Sequence, residues 1–392
     1  MAIMVTAIIN GYVWSGTENQ GNHLTLLIEG SRIKAIGHQL RIPEKAFIID
    51  AAGGWVTPGI IDVHTHLGVH TQDIGRAGHD FNETSAVSTP EVRAIDAINP
   101  RDSGFSDARK AGITMVQVLP GSANVIGGET CVIKTAGTNV EEMIVQAPSA
   151  MKVALGENPK TVYGSKGKAP LTRMGVAAVL RQELMRAQDY ANKKETGKIE
   201  TRDLGMEQLM PVIKGELPLR VHAHRADDIQ TILRIAKEFS LKLTIEHVTE
   251  GHLIANELET CGFRFTIGPT MSSRSKQELA EKSWKTVAVF AEKDIPFSIT
   301  TDHPVIPIEH LTTTASYALK YGVDRETMLK AITVWAAEHL QLDTEVGTLE
   351  AGKDADVVIW SGHPLETGTV VMNTFINGMA VYTNEEVMTK DV

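Results

Sequence analysis

The chain has 392 residues, 42% of them hydrophobic and 22% charged, ordinary proportions for a soluble globular protein and enough chain for one large domain plus a smaller one. Its net charge of −10 argues against a nucleic-acid surface or an anionic membrane as partner. No apolar run reaches the roughly 18 residues needed to span a bilayer, and the opening Met1-Ala-Ile-Met-Val-Thr-Ala lacks the basic stretch of a signal peptide.

Residues 1 to 55 read as short strands. Thr6 to Ser15 is mostly apolar, with Asn10-Gly11 inside it as a hairpin-type turn signal. Leu24–Ile28, Arg32–Ile36 and Phe47–Asp50 follow as further strands. Such a piece cannot bury both its faces alone. Its partner is at the other end, where Val346–Trp360 gives a turn-rich entry and a strand, and Val370–Phe375, Asn377-Gly378 and Met379–Tyr382 read as a hairpin. A small β-sandwich built from 1–55 and 345–392 is expected. Between these ends, over 56–344, strand-like runs alternate with helical patterns, as in βα units around a parallel sheet. The candidate strands are Ile60–His64, Ile113–Val118, Met143–Gln146, Ala150–Ala154, Leu219–Ala223, Leu243–His247, Phe263–Ile267 and Phe297–Thr301. Eight strands over ~250 to 300 residues fit an α/β (β/α)8 TIM barrel. One connection is long: from His66 to Ser88 the chain is rich in Gly, Asn, Asp and Thr, and it reads as a substrate-covering flap. Ser88-Thr89-Pro90-Glu91 then reads as a helix start.

The chemistry-bearing residues stand at strand ends. In Ile60-Ile61-Asp62-Val63-His64-Thr65-His66 the two histidines are spaced i, i+2, which on a strand puts both rings on one face. Two adjacent imidazoles repel when protonated, and a shared divalent cation removes that repulsion. Arg220-Val221-His222-Ala223-His224-Arg225 repeats the pattern, Thr244-Ile245-Glu246-His247 puts a histidine at the end of the sixth strand, and Ile299-Thr300-Thr301-Asp302-His303 puts an aspartate at the end of the eighth. The C-terminal strand ends are where barrel enzymes carry their chemistry. Lys152 lies inside an apolar run, where an unpaired ammonium is costly.

Thr57-Pro-Gly-Ile-Ile-Asp-Val-His-Thr-His resembles the opening motif of the amidohydrolase superfamily, most closely its imidazolonepropionase-like and prolidase-like hydrolases. The resemblance implies His64, His66, His222 and His247 as ligands of one or two divalent ions, zinc foremost, with Mn, Fe or Ni as alternatives. It implies Asp302 as general base. Binuclear members of the superfamily bridge their metals with a carboxylated lysine, some deacetylase relatives with a glutamate. Met151-Lys152-Val153-Ala154-Leu155-Gly156-Glu157 offers both, and spacing does not choose between Lys152 and Glu157, although the carboxylate of Glu157 needs no modification. His224, Arg225 and His303 are candidates for substrate contact. The implied activity is hydrolysis of a carbon–nitrogen bond, other than a peptide bond of a protein chain, in a small molecule or small peptide. A metal-dependent deaminase is the nearest alternative, although the acid such enzymes carry shortly after the fifth-strand histidine is missing from Ala223-His224-Arg225-Ala226. A non-catalytic scaffold is the other, set against a full complement of candidate ligands. Cys131 and Cys261 form no disulfide framework, so a cytoplasmic enzyme is expected. It is also expected to be a homo-oligomer without nucleic-acid or membrane partners.

Overall fold

The computed structural model describes residues 5–72 and 74–385; the ends of both expected terminal segments, 1–4 and 386–392, lie outside the described residues. In chain order the strands are β1 (Val5–Val13), β2 (Gly21–Glu29), β3 (Arg32–Gly37), β4 (Phe47–Asp50), β5 (Trp55–Pro58), β6 (Ile60–Thr65), β7 (Ile113–Val118), β8 (Ile126–Lys134), β9 (Ile144–Ala154), β10 (Leu219–Ala223), β11 (Leu243–His247), β12 (Arg264–Ile267), β13 (Phe297–Ile299), β14 (Val357–Trp360), β15 (Val371–Ile376) and β16 (Met379–Thr383). They form two sheets of eight. One, ordered β16-β15-β14-β5-β1-β2-β3 with β4 on β1, comes from both chain ends; the other runs β6 to β13 in sequence order and nearly closes into a barrel. The architecture is thus an α/β barrel with a sheet domain built from both termini.

Burial explains the element types. Every residue of β6, β7, β10 and β11 is buried, so these strands read as continuous runs rather than alternating ones. The helix Ala226–Phe239 covers the barrel with Ile229, Ile232, Ile235 and Ala236, spaced three and four apart on one face. Most neighbouring barrel strands are parallel, but β8 is antiparallel to both β7 and β9. The third and fourth strands expected from sequence are therefore the two halves of one strand, β9, and the true third strand is Ile126–Lys134. Gly127-Gly128-Glu129-Thr130, whose paired glycines are a local sign of a turn, lies inside β8. Gly128 has a φ of +118°, and a Cβ there would stand 2.3 Å from the Val92 carbonyl oxygen, so its backbone can lie against the preceding loop only as glycine. That loop, not a helix, occupies 88–93: Ser88 and Arg93 make isolated bridges to Ile126 and Glu129, and the helix starts at Ser103 with Asp102 accepting from the Gly104 amide. Asn10-Gly11 is likewise not a turn. β1 runs through it with a register shift against β2, while Asn377-Gly378 does form the expected hairpin turn between β15 and β16.

No ladder joins β13 to β6. The seam is held instead by Asp62, which accepts from Thr300 Oγ1 (2.6 Å), Thr301 Oγ1 (2.6 Å) and the Thr301 amide (3.0 Å). The His66 amide donates to the His303 carbonyl at 2.8 Å just beyond. Full burial pushes the Asp62 carboxyl up to about 6, against those hydrogen bonds, which pull it down.

Candidate metal centre

The C-terminal ends of β6, β9, β10, β11 and the segment after β13 bring their polar side chains to one place. Two groups there could hold a metal ion: His64, His66 and Asp302, and His222, His224 and His247, each with donor atoms within 4.8 Å of one another. The groups adjoin, since the ring centroids of His64 and His247 are 4.7 Å apart and those of His222 and His247 4.5 Å. Asp302 Oδ1 is 3.3 Å from His66 Nε2 and 3.6 Å from His64 Nε2. Lys152 Nζ lies 3.2 Å from His64 Nε2.

Local backbone explains part of this convergence. Along a strand, neighbours face opposite ways. His247 and Val248 have φ of +76° and +43°, and Asp302 has φ of +51°. These are strained conformations for non-glycine residues, and they cluster here at the strand ends. The break in alternation after Glu246 lets both Glu246 and His247 turn toward His64.

The hydrogen bonds behind the rings set which nitrogen faces inward. His66 Nδ1 donates to the Leu119 carbonyl and His247 Nδ1 to the Gly268 carbonyl, both at 2.8 Å, which leaves Nε2 of each ring as the nitrogen turned toward the centre. His64 Nδ1 meets Glu246 Oε2 at 3.1 Å, and His224 Nδ1 meets Thr249 Oγ1 at 2.7 Å. His222 Nδ1 is buried with no hydrogen-bond partner. A buried, unpaired imidazole nitrogen among several inward-turned ones fits a cation-binding cluster. Burial is the largest influence on these rings: it pushes His64 down to about 3, with Lys152 adding to the effect, and His222 and His224 well below the usual histidine range. They are therefore neutral, the form that binds metals. Burial alone would raise the Asp302 carboxyl, but the imidazoles of His66, His247 and His64 outweigh it and hold the group well below the usual carboxylate range. Burial lowers Lys152 to about 8, against the raising influence of Glu246 and Asp302.

Three of the sequence candidates are engaged elsewhere. The Glu157 carboxylate accepts from the Glu278 amide (3.1 Å) rather than meeting a histidine. Arg225 forms a two-pronged pair with Asp227 (3.0 and 2.9 Å). His303 Nδ1 accepts from the Ile308 amide (3.1 Å), with Gln72 Nε2 3.3 Å from its other nitrogen. Sequence reasoning passed over Glu246 and Glu278, both buried carboxylates at the centre. Glu246 also meets His339 Nε2 at 3.3 Å. Its signal was present, an acid next to a strand-end histidine; Glu278, in the short 3-10 helix Gln277–Leu279, carried none.

In front of the centre lies a cavity of about 620 Å³, lined among others by Phe81, Asn82, Ser122, Asn158, Lys276 and Asp302. Its size suits a small molecule.

The family model described as the amidohydrolase family matches residues 55–387. Amidohydrolase tasK of Hapsidospora irregularis is 28% identical over 398 residues, which cover 93% of this chain and 40% of that protein, so the chain spans well under half of that relative's length. Imidazolonepropionase of Maricaulis maris is 26% identical over 360 residues, 85% of this chain and 86% of its own. An amidohydrolase of Thermotoga maritima MSB8 superposes with a TM-score of 0.94 at 38% identity, covering 97% of this chain and 100% of its own. A Xaa-Pro dipeptidase with bound methionine, 16% identical over 97% of this chain and 100% of its own, shares the fold with a TM-score of 0.61. By these matches the chain belongs to the amidohydrolase family, enzymes acting on carbon–nitrogen bonds.

Proposed function

We propose that the protein is a divalent-metal-dependent hydrolase of a carbon–nitrogen bond in a small molecule, such as a cyclic amide, a small amide or a dipeptide. The observation that carries this reading is the convergence of five imidazoles, those of His64, His66, His222, His224 and His247, with the Asp302 carboxylate, at a cavity whose wall includes His66, His222, His224 and Asp302. His64, His66, His222 and His247 would hold one or two divalent ions, zinc foremost, because imidazole nitrogens with an occasional carboxylate suit that metal. When bound, a divalent ion supplies Lewis acidity, lowering the pKa of a water from ~15.7 toward about 7 and polarising a carbonyl.

Of the two bridging candidates we favour Lys152. Its nitrogen stands beside His64 Nε2, whereas Glu157 is turned to a backbone amide. An ammonium in that place would oppose a cation. Reaction of the neutral amine with carbon dioxide forms a carbamate and releases one proton, turning the side chain into an anion. Burial, by making the amine easier to deprotonate, favours that step. Asp302, ionised and 3.3 Å from His66 Nε2, is placed to accept the proton of the attacking water and return it to the leaving nitrogen. Asp302→Asn keeps the size of the side chain and removes the base. It should retain at least half of the wild-type metal content while kcat falls by about 100-fold or more. Turnover within threefold of wild type would refute the role of Asp302.

A further inference from the structure

Two side chains in the cavity wall, Ser122 and Asn82, carry hydrogen-bond donors that the protein leaves unused. The bonds around them fix which atoms these are. Lys276 Nζ donates to Asn158 Oδ1 at 2.8 Å, so the other end of that amide is Nδ2. Asn158 Nδ2 donates in turn to Ser122 Oγ at 2.7 Å. A hydroxyl that accepts in this way has its single proton left to give elsewhere. Asn82 is oriented by the same logic: its Oδ1 accepts from the Ala123 amide at 3.1 Å, which makes Nδ2 the free end. Among the described residues, neither Ser122 Oγ nor Asn82 Nδ2 donates to a protein acceptor. Asn82 is also held in place. Gly121 leaves room for its amide, since a Cβ there would stand 2.3 Å from Oδ1. The chain is tied down on both sides of it: the Gly121 amide donates to the Phe81 carbonyl (2.6 Å), and Asn124 Nδ2 to the carbonyls of Glu83 (2.5 Å) and Ala86 (2.9 Å). The long connection after His66 is thus pinned to the barrel at this point, and the donor is preorganised.

The two donors stand close to the centre. Asn158 Nδ2 also lies 3.4 Å from His222 Nε2, so a single amide group separates Ser122 from that ring. Behind Asn158, Lys276 Nζ is 2.5 Å from Glu278 Oε1, which itself lies 3.4 Å from His222 Nε2. Bonds in a chain polarise one another, so the ammonium of Lys276 strengthens Ser122 as a donor through Asn158. We propose that the Ser122 hydroxyl and the Asn82 amide form a subsite for an oxygen acceptor of the substrate, a carboxylate or carbonyl one carbon removed from the amide that is cleaved. Asn158 and Lys276 are positioning residues, acting through Ser122. This inference rests on the hydrolase reading above and deepens it: amides that carry a second, proton-free oxygen beside the scissile bond are selected over those with a hydrocarbon in that place. A hydrocarbon there would leave both donors unpaired, which is the basis on which polar sites reject analogues lacking an acceptor.

The test compares three probes of one shape: N-acetylglycine, N-acetylglycinamide and N-isobutylacetamide, in which methyl groups stand where the acid has its oxygens. Each is titrated into the full-length, zinc-supplied protein carrying Asp302→Asn to halt turnover, and dissociation constants are read by ligand NMR. The acid or the amide should bind about tenfold tighter than N-isobutylacetamide, or more. An acid that binds tighter than the amide identifies the acceptor as a carboxylate, and equal binding identifies it as a neutral carbonyl; both sustain the subsite. Ser122→Ala removes one donor. Asn82→Asp keeps the oxygen that meets Ala123 and replaces the other donor by an acceptor. Each should cut the preference by about fivefold or more, and Lys276→Met by about twofold to threefold, with little change in the binding of N-isobutylacetamide. Wild-type affinities that are alike for the three probes, or binding of none of them, would overturn the proposal. So would Ser122→Ala and Asn82→Asp weakening all three probes by one factor, the result expected if these side chains only hold the loop. Should Asn82→Asp fail to fold, Ser122→Ala decides alone. Acetate release by the zinc-supplied protein with Asp302 intact reads the hydrolase proposal separately. Cleavage without preference removes the subsite and leaves the hydrolase; preference without cleavage keeps the subsite.

Discussion

At the scale of the residue, the centre shows how burial and partners set the state of each group. Lys152 is the most informative. Its folded-state pKa, about 8, lies below the ordinary lysine value of ~10.4, so the unfolded chain is the better proton binder over that interval. Below pH 8 the buried cation is present in full and its desolvation opposes folding. As pH rises from 8 toward ~10.4 the folded state has shed the proton and the unfolded state has not, so this contribution improves with pH. At 1.36 kcal/mol per unit the whole effect is on the order of 3 kcal/mol. In the metal-free protein, Lys152→Met should remove it. The difference in unfolding free energy between variant and wild type, measured by denaturant titration at pH 7.5 and pH 10, should shrink by about 2 to 3 kcal/mol at the higher pH. A pH-independent difference would mean that Lys152 does not titrate in this interval. The choice between Lys152 and Glu157 could not be made along the chain, because each is a residue type that the chemistry accepts. Where the neighbouring segments put their donors distinguishes them: His64 Nε2 for one, a backbone amide 121 residues away for the other.

At the scale of the element, the parallel order of the barrel was legible wherever a strand is buried on both faces, as in β6, β7, β10 and β11. It was lost at β8 and β9. β9 has an exposed first half and a buried second half, which breaks the apolar run in two, and β8 carries paired glycines that are local signs of a turn. Its partners on either side, β7 and β9, make it a strand. The seam between β13 and β6 depends on one side chain. Asp62→Ala would leave the Thr301 hydroxyl and amide without their acceptor, and the Thr300 hydroxyl with the His64 carbonyl alone (2.6 Å). Each buried donor left unpaired costs about 1 to 3 kcal/mol, and the Thr301 hydroxyl can turn to another partner, so a net loss of about 3 kcal/mol is expected in urea unfolding. Asp62→Asn, which keeps one carbonyl oxygen, should lose about half as much. A loss below about 1 kcal/mol in Asp62→Ala would show that backbone contacts alone close the barrel.

At the scale of the whole molecule, we propose that the chain divides into 56–344 and a unit made from 1–55 and 345–392, and that the two share a core. Val358 and Trp360 of β14 pack in the same hydrophobic cluster as the barrel strands β6, β7 and β9 to β13. A buried ion pair adds to the join: Lys134, at the end of β8, donates to Asp354 (2.8 Å) and Asp356 (2.7 Å). Lys134→Met would leave the buried Asp356 without its cation. Removing one partner from a buried pair costs about 3 to 5 kcal/mol, and Arg32, 2.9 Å from Asp354, offsets part of this, so about 3 kcal/mol is expected. Calorimetry should still show one transition at a lower Tm. Two separate transitions would contradict the shared core. Among the described residues no helix is long and apolar enough to cross a membrane, in keeping with the hydropathy of the sequence.

The sequence by itself determined what depends on short-range geometry. Period-two spacing put His64 with His66 and His222 with His224, buried runs marked most barrel strands, and the strand-end position singled out His247 and Asp302. Tertiary structure alone decided what depends on distant segments meeting: the direction of β8, the partners of Lys152 and Glu157, and the arrival of Glu246 and Glu278 behind and beside the histidines. Side-chain alternation is a property of a few consecutive residues, whereas the contacts that give a carboxylate its role here span tens to hundreds of residues, and no local pattern encodes where those paths cross.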